Sequence, residues 1–369
     1  MLPYLQLQCL LALVGGVLSG VLFLVAGRVF RALSIFRYLM ALVLVCVVSV
    51  ALMNAARVLS GFGVVALVFY AAVLWLPLFS TVASLRSEKG RLRTVGLTRV
   101  FAAASFALGV FALFVEPNRL VGRVERIELA AWEESAEPLR IVHISDLQTV
   151  GACEREREAA RMVNAFKPDF IVFTGDYLAG PFWNAEPAIA AARQFLSELE
   201  PRLGIIVVDG HSEPLEQRLK VFDGLDLVYL ANESQHFSLA DGRSISFHGM
   251  TAHDADYTSL NESPKLGEAR VVVSHVPGIS PVLNGLDVDL HLAGHTHGGQ
   301  VVIPGYGPPI TLSRLDRKFA RGLHRYGDHW LNVTAGIGME GNFAPRIRLF
   351  CPPEVCLITL AGAHVARQE

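Results

Sequence analysis

Two histidines separated by a single residue lie in the segment LHLAGHTHGGQ, with glycines on both sides of the pair. An apolar run precedes them, so the pattern predicts a strand that ends just before His295. In an extended strand His295 and His297 would point to the same side, past Thr296. Glycines let the backbone turn tightly at a strand end, which leaves both imidazoles available to a shared metal centre.

Four other apolar segments in the C-terminal half end in a similar way. LRIVHIS, DFIVFTGD, GIIVVDG and ARVVVSH each resemble a short buried strand, and polar side chains follow each one. Because α/β proteins bind ligands at the carboxyl edge of the sheet, we expect these side chains to share one site. The candidates are Asp146, Gln148, Asp176, Asp209, His211 and His275.

The residue types indicate the chemistry of this site. Aspartate and histidine without cysteine suit a borderline divalent ion such as Mn²⁺, Fe²⁺ or Zn²⁺. The candidates are numerous enough for two ions, and an aspartate such as Asp176 can bridge them. Two metals about 3.5–4 Å apart stabilise the attacking and leaving oxygens of a phosphoryl transfer and activate a bound water. The pattern therefore predicts a two-metal site for phosphate ester hydrolysis.

From Leu139 onward, short apolar strands alternate with amphipathic helices, of which CEREREAARMVNAF and AEPAIAAARQFLSELE are two. This alternation predicts βαβ units and largely parallel sheet, with hairpins or mixed sheet among the later, closely spaced strands. Residues 118–138 are charged and are interpreted as a connector to a domain spanning 139–369. Cys351 and Cys356 could form a disulfide in an oxidising compartment, but their spacing does not decide this.

The first third of the chain is far more apolar than the rest. A spanning helix needs about 20 apolar residues, a length that three uncharged runs reach and a fourth approaches. We expect residues 1–117 to form an α-helical membrane bundle of four helices; buried soluble helices are the alternative. The spans carry no charge of the kind that marks an ion pathway, so they indicate an anchor. The runs lie at 1–28, 37–57, 57–86 and 99–116.

The ordered set SDLQ, TGD, DGH, SH and GHTHGGQ resembles the calcineurin-like metallophosphoesterases. GHTHGGQVVIP and the closing PRIRLFCPPEVCLITL are similar to the membrane-associated bacterial phosphodiesterase branch (YkuE- and YaeI-like). The resemblance covers about residues 139–362. It implies an α/β/β/α sandwich of mixed sheets, with the site at the upper edge of the sandwich, in a multi-pass protein of the bacterial inner membrane.

The resemblance also implies a role for individual residues. Asp146 and His297 would bind the first metal, and Asp176 would bridge both metals. His275 and His295 would bind the second metal. Two divalent ions are therefore the expected cofactors, with Mn²⁺ favoured and Fe²⁺, Mg²⁺ or Zn²⁺ as alternatives.

Two positions depart from the family pattern. Gln148 replaces a histidine, and its neutral carbonyl oxygen favours harder ions such as Mn²⁺ or Mg²⁺ over Zn²⁺. Gly210 replaces a metal-binding asparagine, so the second metal is expected to bind more weakly unless Asp209 supplies an oxygen. The alternation of side chains along a strand directs Asp209 to the other face unless the strand end twists. His211 would stabilise the phosphoryl oxygens or protonate the leaving group.

The leading hypothesis is a membrane-anchored, metal-dependent phosphodiesterase whose substrate is a lipid-linked or nucleotide-sugar phosphodiester. Because Gly210 removes a usual ligand, the alternative is a membrane protein of the same fold that binds a phosphorylated ligand or partner without turnover. No nucleic-acid motif appears, and the net charge of −2 does not favour a polyanion partner. The sequence specifies no oligomeric state.

Basic residues predict the topology, because lysine and arginine are enriched in cytoplasmic loops. They concentrate in the first and third predicted loops, so four spans place the C-terminal domain outside the cytoplasm. Alkaline phosphatase fused after Glu369 is therefore expected to be active, and a fusion after Lys89 inactive. A C-terminal reporter that is active only in the cytoplasm would contradict the assignment.

Overall fold

The computed structural model describes residues 13–22, 68–79, 92–179, 185–261, 263–340 and 344–363. The chain divides into two compact units. The first comprises residues 1–115 and 340–347, and the second comprises 116–339 and 348–369. The described parts of residues 1–115 are helical, and they include Leu92–Val110, which continues into a π-helical turn at Phe111–Val115.

Among the described residues, one helix, Arg99–Asn118, is long and apolar enough to cross a membrane by length and composition. Leu13–Leu22 and Val68–Phe79 are apolar but shorter helices. The span expected at 37–57 lies outside the described residues. The four-helix anchor therefore remains a prediction, with one candidate span in the part of the chain that the structure describes.

The second unit contains two mixed six-stranded sheets. The strands of the first sheet are β1 (Val121–Leu129), β2 (Leu139–Ile144), β3 (Phe170–Phe173), β4 (Gly204–Val207), β5 (Val228–Tyr229) and β12 (Glu354–Gly362). Their order is β1-β12-β2-β3-β4-β5. Neighbouring strands are parallel except for β12 and β2, which are antiparallel.

The strands of the second sheet are β6 (Ser234–Ser238), β7 (Ser244–Met250), β8 (Glu268–Ser274), β9 (Leu290–Ala293), β10 (Gly322–Tyr326) and β11 (His329–Val333). Their order is β10-β11-β9-β8-β7-β6, with antiparallel pairing at both edges and parallel pairing between. The helices of this unit are α1 (Glu154–Ala165), α2 (Glu186–Ser197), α3 (Leu215–Phe222) and the short α4 (Ser280–Leu283).

The two sheets pack face to face, as the apolar strands predict. One core cluster joins Ile141 and Phe170 of the first sheet to Phe247 and Leu290 of the second. A separate cluster covers the outer face of the first sheet with residues from α1, α2 and α3. A smaller one places Leu283 of α4 against the second sheet. The α/β/β/α sandwich of mixed sheets is therefore confirmed.

Residues 121–129, which lie in the charged segment interpreted as a connector, form strand β1 beside β12. A strand of such composition fits here because its charges have partners. Arg123 donates to the Asn332 side chain at 2.8 Å and lies 3.3 Å from the buried carboxylate of Glu354. Glu354 also pairs with Arg321. The domain of the second unit therefore begins before Leu139.

Cys351 and Cys356 are both buried, and neither forms a disulfide. Burial raises the pKa of the Cys356 thiol to about 12. The Cys351 thiol lies 3.5 Å from the backbone carbonyl of His297. Both thiols therefore fill the interior as small, unreactive groups, and Cys351 does so beside the histidine loop.

Candidate metal centre

The ends of β2, β3, β4, β8 and β9 bring the expected side chains to one edge of the sandwich. Two groups of ligand atoms form there, each with its atoms within 4.8 Å of one another. The structure thus places the ends of these strands close together at this edge. The first group is Asp146, Asp176 and His297, and the second is His211, His275 and His295.

The first group is fully buried, and several of its polar atoms have no hydrogen bond within the described chain. Asp146 Oδ1 and both ring nitrogens of His297 are in this state. Asp146 Oδ1 lies 3.3 Å from His297 Nε2. Burial, with a smaller contribution from Arg348, holds the pKa of His297 far below its ordinary value, so the ring is neutral. A buried neutral imidazole facing a carboxylate oxygen without a hydrogen bond is the donor arrangement that a cation completes.

Asp176 lies between the two groups and is held by several donors. Its Oδ1 accepts hydrogen bonds from the backbone N–H groups of His211 and Ser212, at 2.6 and 2.9 Å. Its Oδ2 accepts from Gln148 Nε2 at 3.0 Å and lies 3.3 Å from His275 Nε2. Burial opposes ionisation, but the charge of His275 and these hydrogen bonds hold the pKa of Asp176 below its ordinary value. Asp176 is therefore an anion placed to contact both sites.

Gln148, which replaces the usual histidine, lies beside the first group. It is buried, and its amide nitrogen orients the carboxylate of Asp176. With the nitrogen turned toward Asp176, the neutral carbonyl oxygen is the atom of this side chain that can bind a metal.

His275 and His295 form the centre of the second group, with His275 Nε2 and His295 Nδ1 3.2 Å apart. Burial opposes protonation of His275, but Asp176 raises the pKa of His275 to about 10. Burial and the adjacent His275 lower the pKa of His295 to about 4. In the metal-free site His275 is thus the protonated partner of Asp176, and His295 is neutral.

His211 is the most exposed of the three imidazoles. Its ring centroid lies 5.2 Å from that of His275 and 5.1 Å from that of His295. Partial burial and the charge of His275 lower the pKa of His211. The ring is therefore neutral near pH 7 and lies on the open side of the centre.

Asp209 lies outside both groups of ligand atoms, although the sequence made it a candidate ligand. Its Oδ1 accepts a hydrogen bond from the Ala252 backbone N–H at 2.9 Å, and its Oδ2 lies 3.9 Å from Arg218 Nη1. These contacts hold the Asp209 side chain away from both groups of ligand atoms. The structure thus gives Asp209 a role in joining loops.

The backbone at the site adopts left-handed conformations, which do not occur in an extended strand. Asp146, Gln148, Asp176, His295 and His297 all have φ between 37° and 68°. Such values are uncommon for residues with side chains and cluster at functional sites, where the surrounding contacts enforce them. The two histidines of GHTHGG therefore reach the centre from a tight turn after β9 and not from an extended strand.

Two buried residues that the sequence analysis did not select hold the loops of the site. Arg348 donates to five backbone carbonyls, and Glu213 accepts from the N–H groups that follow Asp176, those of Tyr177 and Leu178. The sequence offers one signal for Glu213, which is a charged residue directly after the DGHS segment. For Arg348 the only signal is a charged residue among apolar neighbours. The Arg348 acceptors are His297, Ala335, Gly336, Gly338 and Cys351.

Family models and relatives agree with this architecture. Residues 139–299 match the model of the calcineurin-like phosphoesterases. Over these residues the chain is therefore similar to the calcineurin-like phosphoesterases, and this similarity supports a hydrolytic phosphoesterase.

Individual proteins are also similar to this chain. The chain is 26% identical to the uncharacterized metallophosphoesterase YkuE of Bacillus subtilis over 73% of this chain and 96% of the relative. It is 25% identical to the phosphodiesterase YaeI of Escherichia coli over 73% of this chain and 98% of the relative. It is 24% identical to the UDP-2,3-diacylglucosamine pyrophosphatase LpxG of Chlamydia muridarum over 72% of this chain and 96% of the relative.

Gly210 allows the backbone to approach Asp176 closely. A Cβ atom at this position would lie 2.1 Å from Asp176 Oδ1 and 2.3 Å from Asp176 N, so the backbone would have to move. The missing side chain is thus the condition for the two N–H groups of His211 and Ser212 to hold the carboxylate. The departure from the family pattern has a local structural reason.

Gly210→Ala is expected to destabilise the protein by about 1–3 kcal/mol, because overpacking displaces the backbone that binds Asp176. Thermal unfolding of the metal-free full chain in detergent measures this as a lower Tm. The matched control is Gly278→Ala, whose added Cβ would meet Val276 at an ordinary 3.5 Å. Equal melting temperatures for the two variants would show that residue 210 tolerates a side chain.

Proposed function

We propose that the protein is a membrane-anchored phosphodiesterase that depends on two divalent metal ions. The observation that carries the proposal is the pair of ligand groups at one sheet edge, with the ionised Asp176 between them. The similarity to the calcineurin-like phosphoesterases supports it independently.

The residues present fit two metal ions. Asp146, Gln148, Asp176 and His297 would hold the first, and the unpartnered buried atoms of Asp146 and His297 support this assignment. Asp176, His275 and His295 would hold the second. When bound, such ions supply a hydroxide-like water and stabilise charge on the phosphoryl oxygens.

The protein contributes orientation and charge to this chemistry. Backbone N–H groups and the Gln148 amide hold the Asp176 carboxylate in place, so its Oδ2 remains between Gln148 and His275. His275 is fixed by a 2.7 Å hydrogen bond from Nδ1 to the Thr174 carbonyl. Groups held in this way need little reorganisation during the reaction, which is the main source of electrostatic catalysis.

A loop beside the metal centre is evidence for an amphiphilic substrate. The carbonyl of Leu312 lies 3.3 Å from His295 Nε2, so this loop touches the centre directly. Several large apolar side chains in the loop are about half exposed. Arg317, which lies over the Tyr306 ring at 4.0 Å, adds a positive charge. The exposed residues, here called the apolar loop, are Ile303, Tyr306, Ile310 and Leu312.

We infer from the apolar loop that the substrate carries an acyl or alkyl chain next to its phosphodiester. The chlamydial relative, whose name specifies a diacylated nucleotide sugar, is consistent with this class. A lipid-linked substrate also agrees with attachment to a membrane by the Arg99–Asn118 helix and the other predicted spans of a multi-pass inner-membrane protein. The domain would then act at the membrane surface outside the cytoplasm.

Asp176→Asn is expected to reduce Mn²⁺-dependent hydrolysis of bis-p-nitrophenyl phosphate about a hundredfold or more, because both metal sites lose a charged ligand. The assay uses the full chain in detergent, stripped of metal and titrated with Mn²⁺. Asp241→Asn, which alters an exposed carboxylate paired with Arg243, is the control. If the folded wild-type protein shows no turnover with any divalent ion, binding of a phosphorylated ligand without hydrolysis replaces the proposal.

Exchange of Ile303 and Ile310 for serine is expected to raise KM for hexadecyl p-nitrophenyl phosphate about tenfold while leaving bis-p-nitrophenyl phosphate hydrolysis unchanged. Loss of roughly 1.4 kcal/mol of apolar contact with the alkyl chain gives this factor. Leu203→Ser is the control, since Leu203 is 41% exposed but precedes β4, at the edge opposite the metal centre. An equal change for both substrates would exclude alkyl-chain binding by the apolar loop.

A further inference from the structure

The second metal site lacks the amide oxygen that the family pattern would supply, because residue 210 is glycine. No side chain could replace that oxygen at this position without moving Asp176, whose Oδ1 would lie 2.1 Å from an added Cβ. Asp209 is turned toward Ala252 and Arg218. Any compensating ligand must therefore come from another residue near the centre.

Each imidazole of the second group is oriented in the same way, by a backbone carbonyl at one ring nitrogen. The pairs are His275 Nδ1 with Thr174 at 2.7 Å, His295 Nε2 with Leu312 at 3.3 Å, and His211 Nε2 with Ala252 at 3.2 Å. A carbonyl oxygen only accepts, so the nitrogen facing it carries the proton. Metal-binding histidines are commonly held by such a hydrogen bond, which leaves the other nitrogen to the metal.

The three rings converge. His275 Nε2 and His295 Nδ1 are 3.2 Å apart, and each of the three rings offers a nitrogen within 4.8 Å of those offered by the other two. Because the carbonyls hold one proton on each ring, the other nitrogen of each ring is the one that can bind a metal. In the metal-free site the second proton of His275 lies on Nε2 and faces His295 Nδ1, and a metal ion bound there would replace that proton.

We propose that His211 is the third imidazole ligand of the second metal and takes the place of the missing amide. This inference rests on the proposed two-metal phosphodiesterase. The two sites would then differ in chemistry. The first is rich in oxygen, with Asp146, Asp176 and the Gln148 carbonyl, and suits Mn²⁺ or Mg²⁺; the second has three imidazoles and suits Zn²⁺ or Fe²⁺.

The test measures metal binding directly. The full chain in detergent is stripped of metal and titrated with Zn²⁺ by calorimetry, and metal content is measured after dialysis. Wild-type protein is expected to bind two ions per chain. His211→Ala is expected to weaken one zinc site about a hundredfold, since a lost ligand should cost at least as much as a lost supporting contact. The other site is expected to keep its affinity.

His253→Ala is the matched control, because His253 is an exposed imidazole whose ring centroid lies 4.7 Å from that of His211 but which is outside the ligand group. It is expected to leave both zinc affinities unchanged. His211→Asn restores an amide oxygen at residue 211 and is expected to bind zinc with intermediate affinity. Circular dichroism melts of all variants verify folding, and the Asn variant provides the test if the Ala variant does not fold.

The outcomes test the metal-binding role of His211 and the proposed phosphodiesterase function separately. If His211→Ala keeps both zinc sites at full affinity, His211 is not a ligand and the inference is overturned, even where phosphodiester hydrolysis is lost. If the wild type binds two ions but hydrolyses no phosphodiester, the proposed function fails, and the zinc titration still decides the role of His211. A wild-type chain that binds no metal overturns both.

Discussion

The site depends on one electrostatic constraint: two carboxylates, Asp146 and Asp176, are buried next to each other at the ends of adjacent strands. Burial of a charge is unfavourable unless partners stabilise it, and a second like charge adds to the penalty. The structure treats the two groups differently. Backbone N–H groups, Gln148 and His275 keep Asp176 ionised, whereas burial, opposed by His275 and reinforced by Asp176, raises the pKa of Asp146 to about 7. Divalent ions would supply the positive charge that the second carboxylate lacks among these side chains.

The same constraint explains the backbone around the centre. Loops that bring N–H groups and imidazoles to a buried carboxylate must approach it closely, so bulky residues are excluded at the contact points. Gly294, which precedes His295, illustrates this: a Cβ atom there would lie 1.9 Å from Ser145 Oγ and 2.4 Å from Asp146 Oδ2. With that space left open, the backbone N–H of His295 donates to Asp146 Oδ2 at 3.0 Å. The glycines of the motif are therefore a consequence of the carboxylate that the loop serves.

The sandwich and the convergence of strand ends could be predicted from the sequence because both follow from local periodicity. Apolar runs specify buried strands, and the residue after each run must lie at the carboxyl edge. Strand β1 could not be found in this way, since its charged residues are stabilised by partners such as Glu354, more than two hundred positions away. The same limit applies to the ligands. Which nitrogen of His275 faces the centre is decided by the Thr174 carbonyl, 101 residues earlier in the chain, and no local pattern encodes that contact.

With His211 as a ligand, the two departures from the family pattern become complementary. The first site exchanges an imidazole for the amide of Gln148, and the second exchanges an amide for the imidazole of His211. The number of donors at each site is then conserved, although their chemical character is exchanged. If the protein had lost its function and the site were no longer under selection, metal-binding donors would be expected to disappear without being replaced. It would also be expected to relax the left-handed backbone at Asp146, Asp176 and His297, which costs about 1–3 kcal/mol per residue when nothing requires it. Retention of both features favours a working metal centre over a decayed one.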